Sequence, residues 1–390
     1  MKRPADSRTR AVRAALDTDT QHGAVVPPLH LTSTFSFAGL GRRRSYDYSR
    51  SGNPTRDALG AALADLEGGA GAVVTASGMA AVTLVAQLCK AGDRVLVPRD
   101  CYGGTFRLFT ALERQGILRV EFADPTDLAT FGAALAVAPR LVWLETPSNP
   151  LLRITDLARA SALARSAGAL VAVDNTFLSP AWQQPLTLGA DLVVHSTTKY
   201  LNGHSDVVGG AVVAGTKELH EQLAWWGNCL GLTGSPFDSF LTLRGLRTLH
   251  ARLVPHAENA MAVALLLKSH PAVRRVYYPG LADHPGHAIA AAQQRAFGAM
   301  VSFELAGGLA AVAACLEGLE YFTLAESLGG VESLVAHPAS MTHAAMEPDA
   351  RARAGIDASL LRLSVGIEAR DDLLADLRAG LDRALAVSSQ

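Results

Sequence analysis

One lysine has neighbours that suit covalent chemistry. In the segment DLVVHSTTKYLNGHS, from Asp191 to Ser205, an apolar stretch ends at His195 and is followed by three hydroxyl residues and Lys199. Three hydroxyls beside one amine could hold a phosphate while the amine does covalent chemistry. A solvated surface loop is the alternative interpretation, because most lysines are exposed.

A carboxylate at the end of an apolar run is the second candidate. Asp174 ends the run in ALVAVDNTF, a poor place for a charge unless a cation pairs with it. Its alternative role is to cap the following helix. The sequence contains no GxGxxG, GxxxxGK or GxSxG motif. His220 and Glu221 begin an HExxH-like pattern, but Ala224 replaces the second histidine, so we expect no metal site.

The elements around these residues alternate between helical patterns and apolar runs. Helices are predicted over 56–67, 79–90, 105–115 and 128–136, and strands over 72–76, 94–97, 118–123, 141–145, 170–174, 192–195 and 210–214. Apolar runs without polar interruption suit strands covered on both faces, which predicts an α/β domain with a mostly parallel sheet. Ligands of such sheets bind beyond the carboxyl ends of the strands, where Glu145, Asp174 and Lys199 would lie.

The pattern divides the chain into three parts. Residues 1–55 are expected to form an irregular arm that contacts a neighbouring subunit, because prolines punctuate the segment and its aromatics follow no period. Residues 56–250 form the predicted α/β domain. A helix over 255–269, short strands near Val276 and Val301, and helices over 286–296 and 371–386 predict a smaller α+β domain over 251–390.

Composition excludes several classes of protein. The 390 residues are 49% hydrophobic and 18% charged, which is typical of a folded globular chain. A formal charge of -1 gives no general attraction for nucleic acid or anionic lipid. The N-terminus is charged, and the four cysteines form no CxxC pair, so a cytoplasmic protein without a membrane span is expected; the cysteines are Cys89, Cys101, Cys229 and Cys315.

The lysine segment resembles, throughout its length, the lysine signature of the Cys/Met metabolism family of pyridoxal-phosphate (PLP) enzymes. Further similar segments are YSRSGNPTRDALG from Tyr48, ASGMAA from Ala76, DCYGGTFR from Asp100, ETPSNP from Glu145 and AESLGGVESL from Ala325. Together they cover nearly the whole chain. The resemblance implies the aspartate-aminotransferase type of fold (fold type I), PLP as cofactor, and a homotetramer of two dimers with shared active sites.

The resemblance also implies roles for individual residues. Lys199 would bond covalently to PLP and act as a base, Asp174 would pair with the pyridine nitrogen, and Tyr102 would stack on the ring and assist proton transfer. The other cofactor-binding residues would be Asn149 at the ring oxygen and, at the phosphate, Ser77, Gly78, Met79, Ser196 and Thr198, with Tyr48 and Arg50 from a neighbouring subunit.

Substrate-binding residues are implied in the same way. They would be Arg362 for the α-carboxylate, Arg107 for a distal carboxylate, Glu326 for an amino group, and Ser327, Asp47 and Asn228 along the pocket. Without the resemblance, Tyr102 would be a packed loop tyrosine and Arg362 an ordinary charge at a strand edge.

The expected reaction follows from finer similarities. The segments GNPTRDALGAALADLEGGAGAV, LAWWGNCLG and FTLAESLGGVESL resemble bacterial members that perform γ-replacement, here O-succinyl-L-homoserine and L-cysteine giving L-cystathionine and succinate in methionine biosynthesis. The alternatives are γ-elimination of cystathionine, sulfhydrylation of the ester by sulfide, and a non-catalytic PLP-binding protein. A β-lyase is disfavoured because Glu326 resembles the γ-acting members. Ser51 stands where a second basic residue is expected, which leaves succinyl, acetyl and phosphoryl esters open.

Overall fold

The larger of two sheets organises the first two thirds of the chain. The protein is described from a computed structural model that covers residues 5–344, 351 and 354–388, so the first four residues of the predicted arm and the last two of the C-terminal domain lie outside it. Seven strands form this sheet in the order β1-β7-β6-β5-β4-β2-β3. They are β1 (Gly71–Thr75), β2 (Arg94–Pro98), β3 (Arg119–Ala123), β4 (Leu141–Glu145), β5 (Leu170–Asp174), β6 (Leu192–His195) and β7 (Gly210–Ala214).

The prediction of a mostly parallel sheet is confirmed. Strands β2 to β6 pair in parallel, whereas β7 runs antiparallel to both β1 and β6. Parallel pairing brings the carboxyl ends of β4, β5 and β6 to one edge. In register, Glu145 lies beside Asp174, and Asp174 lies beside Val194, the residue before His195.

Helices cover both faces of the large sheet. In chain order the helices are α1 (Ser7–Val12), α2 (Pro54–Glu67), α3 (Gly78–Ala86), α4 (Gly103–Arg114), α5 (Leu128–Ala134), α6 (Leu157–Ser166), α7 (Ser179–Trp182), α8 (Lys217–Leu230), α9 (Pro236–Leu246), α10 (Leu249–Ser269), α11 (His287–Gln293), α12 (Gly308–Leu316) and α13 (Arg370–Ser388). Phe109 of α4 packs on Trp143 on one face, and Phe131 of α5 packs with Leu144 on the other. Among the described helices, none is long and apolar enough to cross a membrane.

The C-terminal part is a smaller α+β layer, as predicted. Its five strands have the order β10-β11-β12-β9-β8. They are β8 (Val273–Tyr277), β9 (Met300–Leu305), β10 (Thr323–Leu324), β11 (Leu334–Ala336) and β12 (Leu360–Ser364). Helices α10, α12 and α13 pack on this sheet. Strand β12 therefore carries Arg362 at the centre of a buried layer.

Local boundaries differ from the prediction in several elements. Helix α10 begins at Leu249, whereas the predicted helix begins at residue 255, so Pro255 lies inside the observed helix. Helix α3 ends at Ala86, four residues before the predicted end. The predicted arm contains the short helix α1, capped by the Asp6 carboxylate on the N–H of Arg8, and its described residues form no other helix before Pro54, where α2 begins.

Candidate active site

A cavity of about 470 Å³ opens at the carboxyl edge of β4, β5 and β6. Thirteen of the residues predicted for the site line it: Ser77, Gly78, Met79, Tyr102, Arg107, Asn149, Asp174, Ser196, Thr198, Lys199, Glu326, Ser327 and Arg362. A larger groove of about 1250 Å³ lies elsewhere and is lined by none of these residues. The charged side chains that line this groove include mutual ion pairs such as Lys268 with Asp283.

Lys199 is a half-buried residue whose amine has no carboxylate hydrogen-bond partner among the residues that the structure describes. It lies in the loop after β6, and its Nζ donates a hydrogen bond of 2.7 Å to Oγ of Ser327. Burial and the positive charge of Arg362, opposed by the negative charge of Glu326, together lower the pKa of Lys199 to about 8. A lysine with this pKa has a substantial neutral fraction near neutral pH, as a nucleophile or base requires.

Two carboxyl groups meet at the strand ends beneath the cavity. Burial raises the pKa of both Glu145 and Asp174, and the proximity of Asp174 raises that of Glu145 further. Glu145 accepts hydrogen bonds from the backbone N–H of Tyr102 at 2.8 Å and from the indole of Trp143 at 3.0 Å. Asp174 accepts one from the backbone N–H of Thr176 at 2.9 Å. A ligand cation beside Asp174 would stabilise the ionised form of this carboxyl.

The first turn of α3 forms an anion-binding end of the cavity. Ser77 caps the helix by accepting the N–H of Ala80 at 3.1 Å, and its carbonyl accepts the N–H of Ala81. Gly78 and Met79 occupy the first turn, where N–H groups have no acceptor inside the helix. A Cβ atom on Gly78 would lie 2.8 Å from Cβ of Ser196, so the glycine allows the helix to approach the lysine loop closely.

The two hydroxyl residues that were predicted to bind the phosphate, Ser196 and Thr198, are placed differently. The backbone N–H of Ser196 is bonded to Oγ1 of Thr176 at 2.9 Å, and the Ser196 side chain lines the cavity. Oγ1 of Thr198 accepts the N–H of Gly209 at 3.0 Å and donates to its carbonyl at 3.2 Å. The Thr198 hydroxyl therefore fixes the loop to the start of β7, and Ser196 is the freer of the two donors.

Arg362 is a buried cation with one unused donor. Its Nη1 donates to Oδ1 of Asn149 at 2.9 Å and its Nη2 to the carbonyl of Ser327 at 3.1 Å. Its Nε has no acceptor within the described part of the chain. Burial lowers the pKa of Arg362 to about 10, although the nearby Glu326 opposes the shift. A ligand carboxylate would supply both the missing acceptor and the missing charge.

Three predicted residues surround the cavity mouth. Tyr102 begins α4 and is 40% exposed, with its ring close to Gly104. Arg107, one turn further along α4, and Glu326, before Ser327, are also exposed. The mouth thus presents an aromatic ring, a cation and an anion to an entering ligand.

Four predicted residues lie outside the cavity within one protomer. Nε of Arg50 donates to Oδ1 of Asn228 at 3.1 Å, and its guanidinium lies 5.3 Å from the centroid of the Tyr48 ring. Asp47 accepts hydrogen bonds from Arg43 and from the backbone N–H of Tyr48. The contribution of Tyr48 and Arg50 to a neighbouring subunit's site stays a prediction, and Asp47 and Asn228, which were expected along the substrate pocket, do not line this cavity.

Sequence reasoning assigned no role to several other residues along the cavity. The backbone N–H of Thr176 donates a hydrogen bond to Asp174, and its position only two residues further along the chain could have identified it from the sequence. Glu145 was placed at the sheet edge without a role. Met341 and Thr342 reach the cavity from a loop after β11. No strand is predicted over β11 from the sequence, so the position of the loop that carries Met341 and Thr342 could not be predicted.

The arrangement fits the parts of PLP. A reactive amine suits its aldehyde, the carboxyl of Asp174 at the strand end suits its pyridine nitrogen, and the first turn of α3 suits its phosphate. The unused donor of Arg362 is left for the carboxylate of an amino-acid substrate. Within the described ranges, no group of three or more His, Cys, Asp or Glu side chains is placed to bind a metal ion.

Comparison with known proteins agrees with this chemistry. The sequence profile of the family described as Cys/Met metabolism PLP-dependent enzyme matches residues 8–382. Cystathionine gamma-synthase of Escherichia coli (strain K12) is 56% identical over 373 residues, which cover 95% of this chain and 97% of that protein. Cystathionine beta-lyase of Lactococcus lactis subsp. cremoris (strain MG1363) is 47% identical over 377 residues, covering 96% and 99%.

Solved structures give the same relationship. The crystal structure of cystathionine gamma synthase from Xanthomonas oryzae pv. oryzae in complex with aminoacrylate and cysteine superposes with a TM-score of 0.98 at 64% identity, covering 99% of this chain and 100% of that one. Proteins named cystathionine gamma-lyase also match over most of the chain. The chain belongs to the Cys/Met metabolism family of PLP-dependent enzymes, and PLP is its cofactor.

Proposed function

We propose that this enzyme acts as a cystathionine γ-synthase, joining O-succinyl-L-homoserine to L-cysteine and releasing succinate. The observation that carries the proposal is the presence of two guanidinium groups, Arg362 and Arg107, in one cavity with a reactive lysine. O-succinyl-L-homoserine has a carboxylate at each end, and so does L-cystathionine, the product of the proposed reaction. The higher identity to γ-synthases, 56% and 64%, than to the β-lyase, 47%, supports the same assignment.

Binding begins at the buried end of the cavity. The α-carboxylate of the substrate pairs with Arg362, whose Nε is free to donate. The γ substituent then extends toward the mouth, where Arg107 binds the succinyl carboxylate. Glu326 lies close enough to Arg362 and Lys199 to affect the pKa of both, so it is placed to orient a substrate ammonium group.

Proton transfers are the task of Lys199. PLP, when bound, supplies the electron sink that stabilises negative charge at the substrate carbons. Nζ of Lys199 removes the Cα proton and then a Cβ proton, after which the Cγ–O bond breaks and succinate leaves. The sulfur of cysteine forms the new bond to Cγ, its thiol proton is released, and Lys199 returns protons to Cβ and Cα. Ser327, 2.7 Å from Nζ, holds the amine in place between these transfers.

The nearest alternative is a cystathionine γ-lyase. It would use the same lysine, ring partner and carboxylate clamp, and relatives with that name match this chain. The two activities diverge once the γ substituent has left, because a synthase lets a thiol add whereas a lyase releases ammonia and 2-oxobutyrate. A β-lyase would instead release pyruvate and homocysteine from cystathionine.

Product analysis by mass spectrometry separates these reactions. Purified holoenzyme is given O-succinylhomoserine with cysteine in one reaction and cystathionine alone in the other. The proposal predicts rapid formation of cystathionine and succinate in the first and slow breakdown in the second. Rapid release of 2-oxobutyrate from cystathionine would establish the γ-lyase, and rapid release of pyruvate would establish the β-lyase. Acetyl and phosphoryl esters and sulfide complete the comparison.

The role of Arg107 has its own test. In Arg107→Ala we expect the KM for O-succinylhomoserine to rise about tenfold or more, since an exposed charge-assisted hydrogen bond is lost. The KM for an acetyl ester, which lacks the distal carboxylate, should change little. Arg114→Ala is the matched control, because Arg114 is exposed on the same helix and does not line the cavity. Equal effects on both esters would remove Arg107 from acyl recognition.

We also propose that the enzyme works in the cytoplasm and takes part in methionine biosynthesis. We propose further that it forms a homotetramer whose subunits share active sites. Exposed apolar side chains along the arm, including Val25, Leu31, Phe37 and Leu40, support contact with another subunit. All four cysteines are free thiols, which suits a reducing compartment.

A further inference from the structure

A carboxyl and an imidazole are buried together behind the cavity. Glu67 is the last residue of α2 and His195 the last of β6, and neither exposes any surface to solvent. Nε2 of His195 lies 2.6 Å from Oε1 of Glu67. Among the described residues, Oε2 of Glu67 and Nδ1 of His195 have no hydrogen-bond partner. Burial of an acid with a base costs several kcal/mol, so stability alone is a weak reason for this pair.

The pair is connected to the strand end that delivers Asp174. Asp174 is the register partner of Val194, which directly precedes His195. Asn175, the residue after Asp174, donates from Nδ2 to the same Oε1 of Glu67 at 2.9 Å. Glu67 therefore contacts both β6 and the end of β5, although neither Glu67 nor His195 lines the cavity.

Asp174 needs such support to carry a charge. Burial raises the pKa of its carboxyl, and the effects that lower it again are the hydrogen bonds of Thr176 and the positive charge of a protonated His195. Glu145, its neighbour on β4, is a second buried carboxyl, so charging both costs more than charging one. An ionised Asp174 is what a protonated pyridine nitrogen requires as its partner.

We propose that His195 is a cationic positioning residue that keeps Asp174 ionised toward the cofactor, with Glu67 as its buried counterion. The inference rests on the proposed pairing of Asp174 with the pyridine nitrogen. In this proposal the Glu67–His195 pair affects the electron distribution of the cofactor through Asp174, and the pair does not contact the substrate. The pair sets the proton occupancy of the pyridine nitrogen, and through it the strength of the electron sink.

The test reads that proton directly. Holoenzyme is reconstituted with PLP labelled with ¹⁵N in the ring, and the ¹⁵N resonance is measured by solid-state NMR for wild type, Glu67→Gln and His195→Gln. We expect the resonance to move toward that of an unprotonated pyridine in both variants, and the Kd for PLP to rise about tenfold, the equivalent of one pKa unit. Glutamine at either position retains an amide that can bond to the remaining partner.

Glu304→Gln is the matched control. Glu304 is also a buried glutamate, 7% exposed, and is held by Arg274 and Tyr277, but it lies on β9 away from the cavity. The Glu304→Gln protein should be less stable than wild type, but its ¹⁵N resonance should not move. An unchanged resonance in a folded His195→Gln or Glu67→Gln holoenzyme would overturn the inference.

Two further results keep the outcome decisive. If neither variant folds, ¹⁵N labelling of histidine in wild-type holoenzyme decides, because a neutral ring at His195 would contradict the proposed cation. A wild-type pyridine nitrogen that carries no proton would instead refute the role of Asp174 in the proposed function, independently of the variants.

Discussion

Lys199 derives its reactivity from the groups that surround its amine. The side chain is half-buried, its amine donates to the neutral hydroxyl of Ser327, and the nearby Arg362 carries a like charge. Burial and the charge of Arg362 disfavour the ammonium form, whereas the charge of Glu326 favours it. The amine is therefore prepared for bond formation before the cofactor enters.

The pH dependence of cofactor uptake tests this state. The pKa of Lys199 is lowered to about 8, and only the neutral amine attacks an aldehyde. The rate of PLP uptake by the cofactor-free protein should increase with pH and level off above about 8. Stopped-flow absorbance measures the rate. A rate that continues to increase toward the ordinary lysine pKa, about 10.4, would show that burial does not prepare the amine.

A substitution at Arg362 tests how a single residue recognises the substrate. Arg362→Lys replaces a planar fork by a single ammonium and should lower kcat/KM for O-succinylhomoserine about 100-fold, close to the loss of one charged hydrogen bond of about 3 kcal/mol. The absorbance of bound cofactor and the Kd for PLP should change little. Steady-state kinetics with a PLP titration provides both values. A large loss of PLP with an unchanged KM would assign Arg362 to the cofactor.

At the scale of elements, the close approach of α3 to the lysine loop shapes the phosphate end. A Cβ atom on Gly78 would lie 2.8 Å from Cβ and 3.0 Å from Oγ of Ser196, so Gly78→Ala must move one of them. We expect the Kd for PLP to rise at least tenfold, measured by equilibrium absorbance. In Gly132→Ala, a control in α5 where a Cβ meets open space, PLP affinity should be unchanged. Equal PLP affinity in both variants would exclude a role for this approach.

The elements that could be predicted are those with a simple apolar pattern. Strands β4 to β7 were predicted with their observed bounds, because each is a continuous apolar run between polar turns. Strands β10 to β12 were not: β10 and β11 have only two and three residues and carry no period, and the pairing of all three strands depends on distant partners. For the same reason the sequence could not place Met341 and Thr342 at the cavity.

Some residues of the site could be predicted from the sequence, and others are shown only by the structure. Lys199 and Asp174 are recognisable from residue type and position, the family resemblance implies their roles, and both line the cavity. The pairing of Glu67 with His195 joins residues 128 positions apart, so only the three-dimensional structure shows it.

At the scale of the whole molecule, the arm carries three predicted site residues, Asp47, Tyr48 and Arg50, outside the cavity of this chain. Arg50 bonds to Asn228 and is in contact with the Tyr48 ring, outside that cavity. If Arg50 binds the phosphate in a neighbouring subunit, Arg50→Ala and Lys199→Ala should each be inactive alone. Mixed after reversible dissociation, they should regain about a quarter of the wild-type activity, because some sites then combine two intact contributions.

The complementation assay has a defined control. Two preparations of Lys199→Ala, treated in the same way, should stay inactive because every site lacks its amine. Failure of the mixed preparation to regain activity, with oligomers shown to exchange by native mass spectrometry, would confine each site to one subunit.

Borohydride reduction followed by peptide mapping tests the central claim most directly. Reduction fixes PLP to the amine that holds it, and the sequence contains only five lysines: Lys2, Lys90, Lys199, Lys217 and Lys268. We expect one pyridoxyl-phosphate mass per chain, on the peptide that contains Lys199, and no such label in Lys199→Ala. A label on any of the other four lysines would contradict the assignment of Lys199 as the cofactor-binding amine.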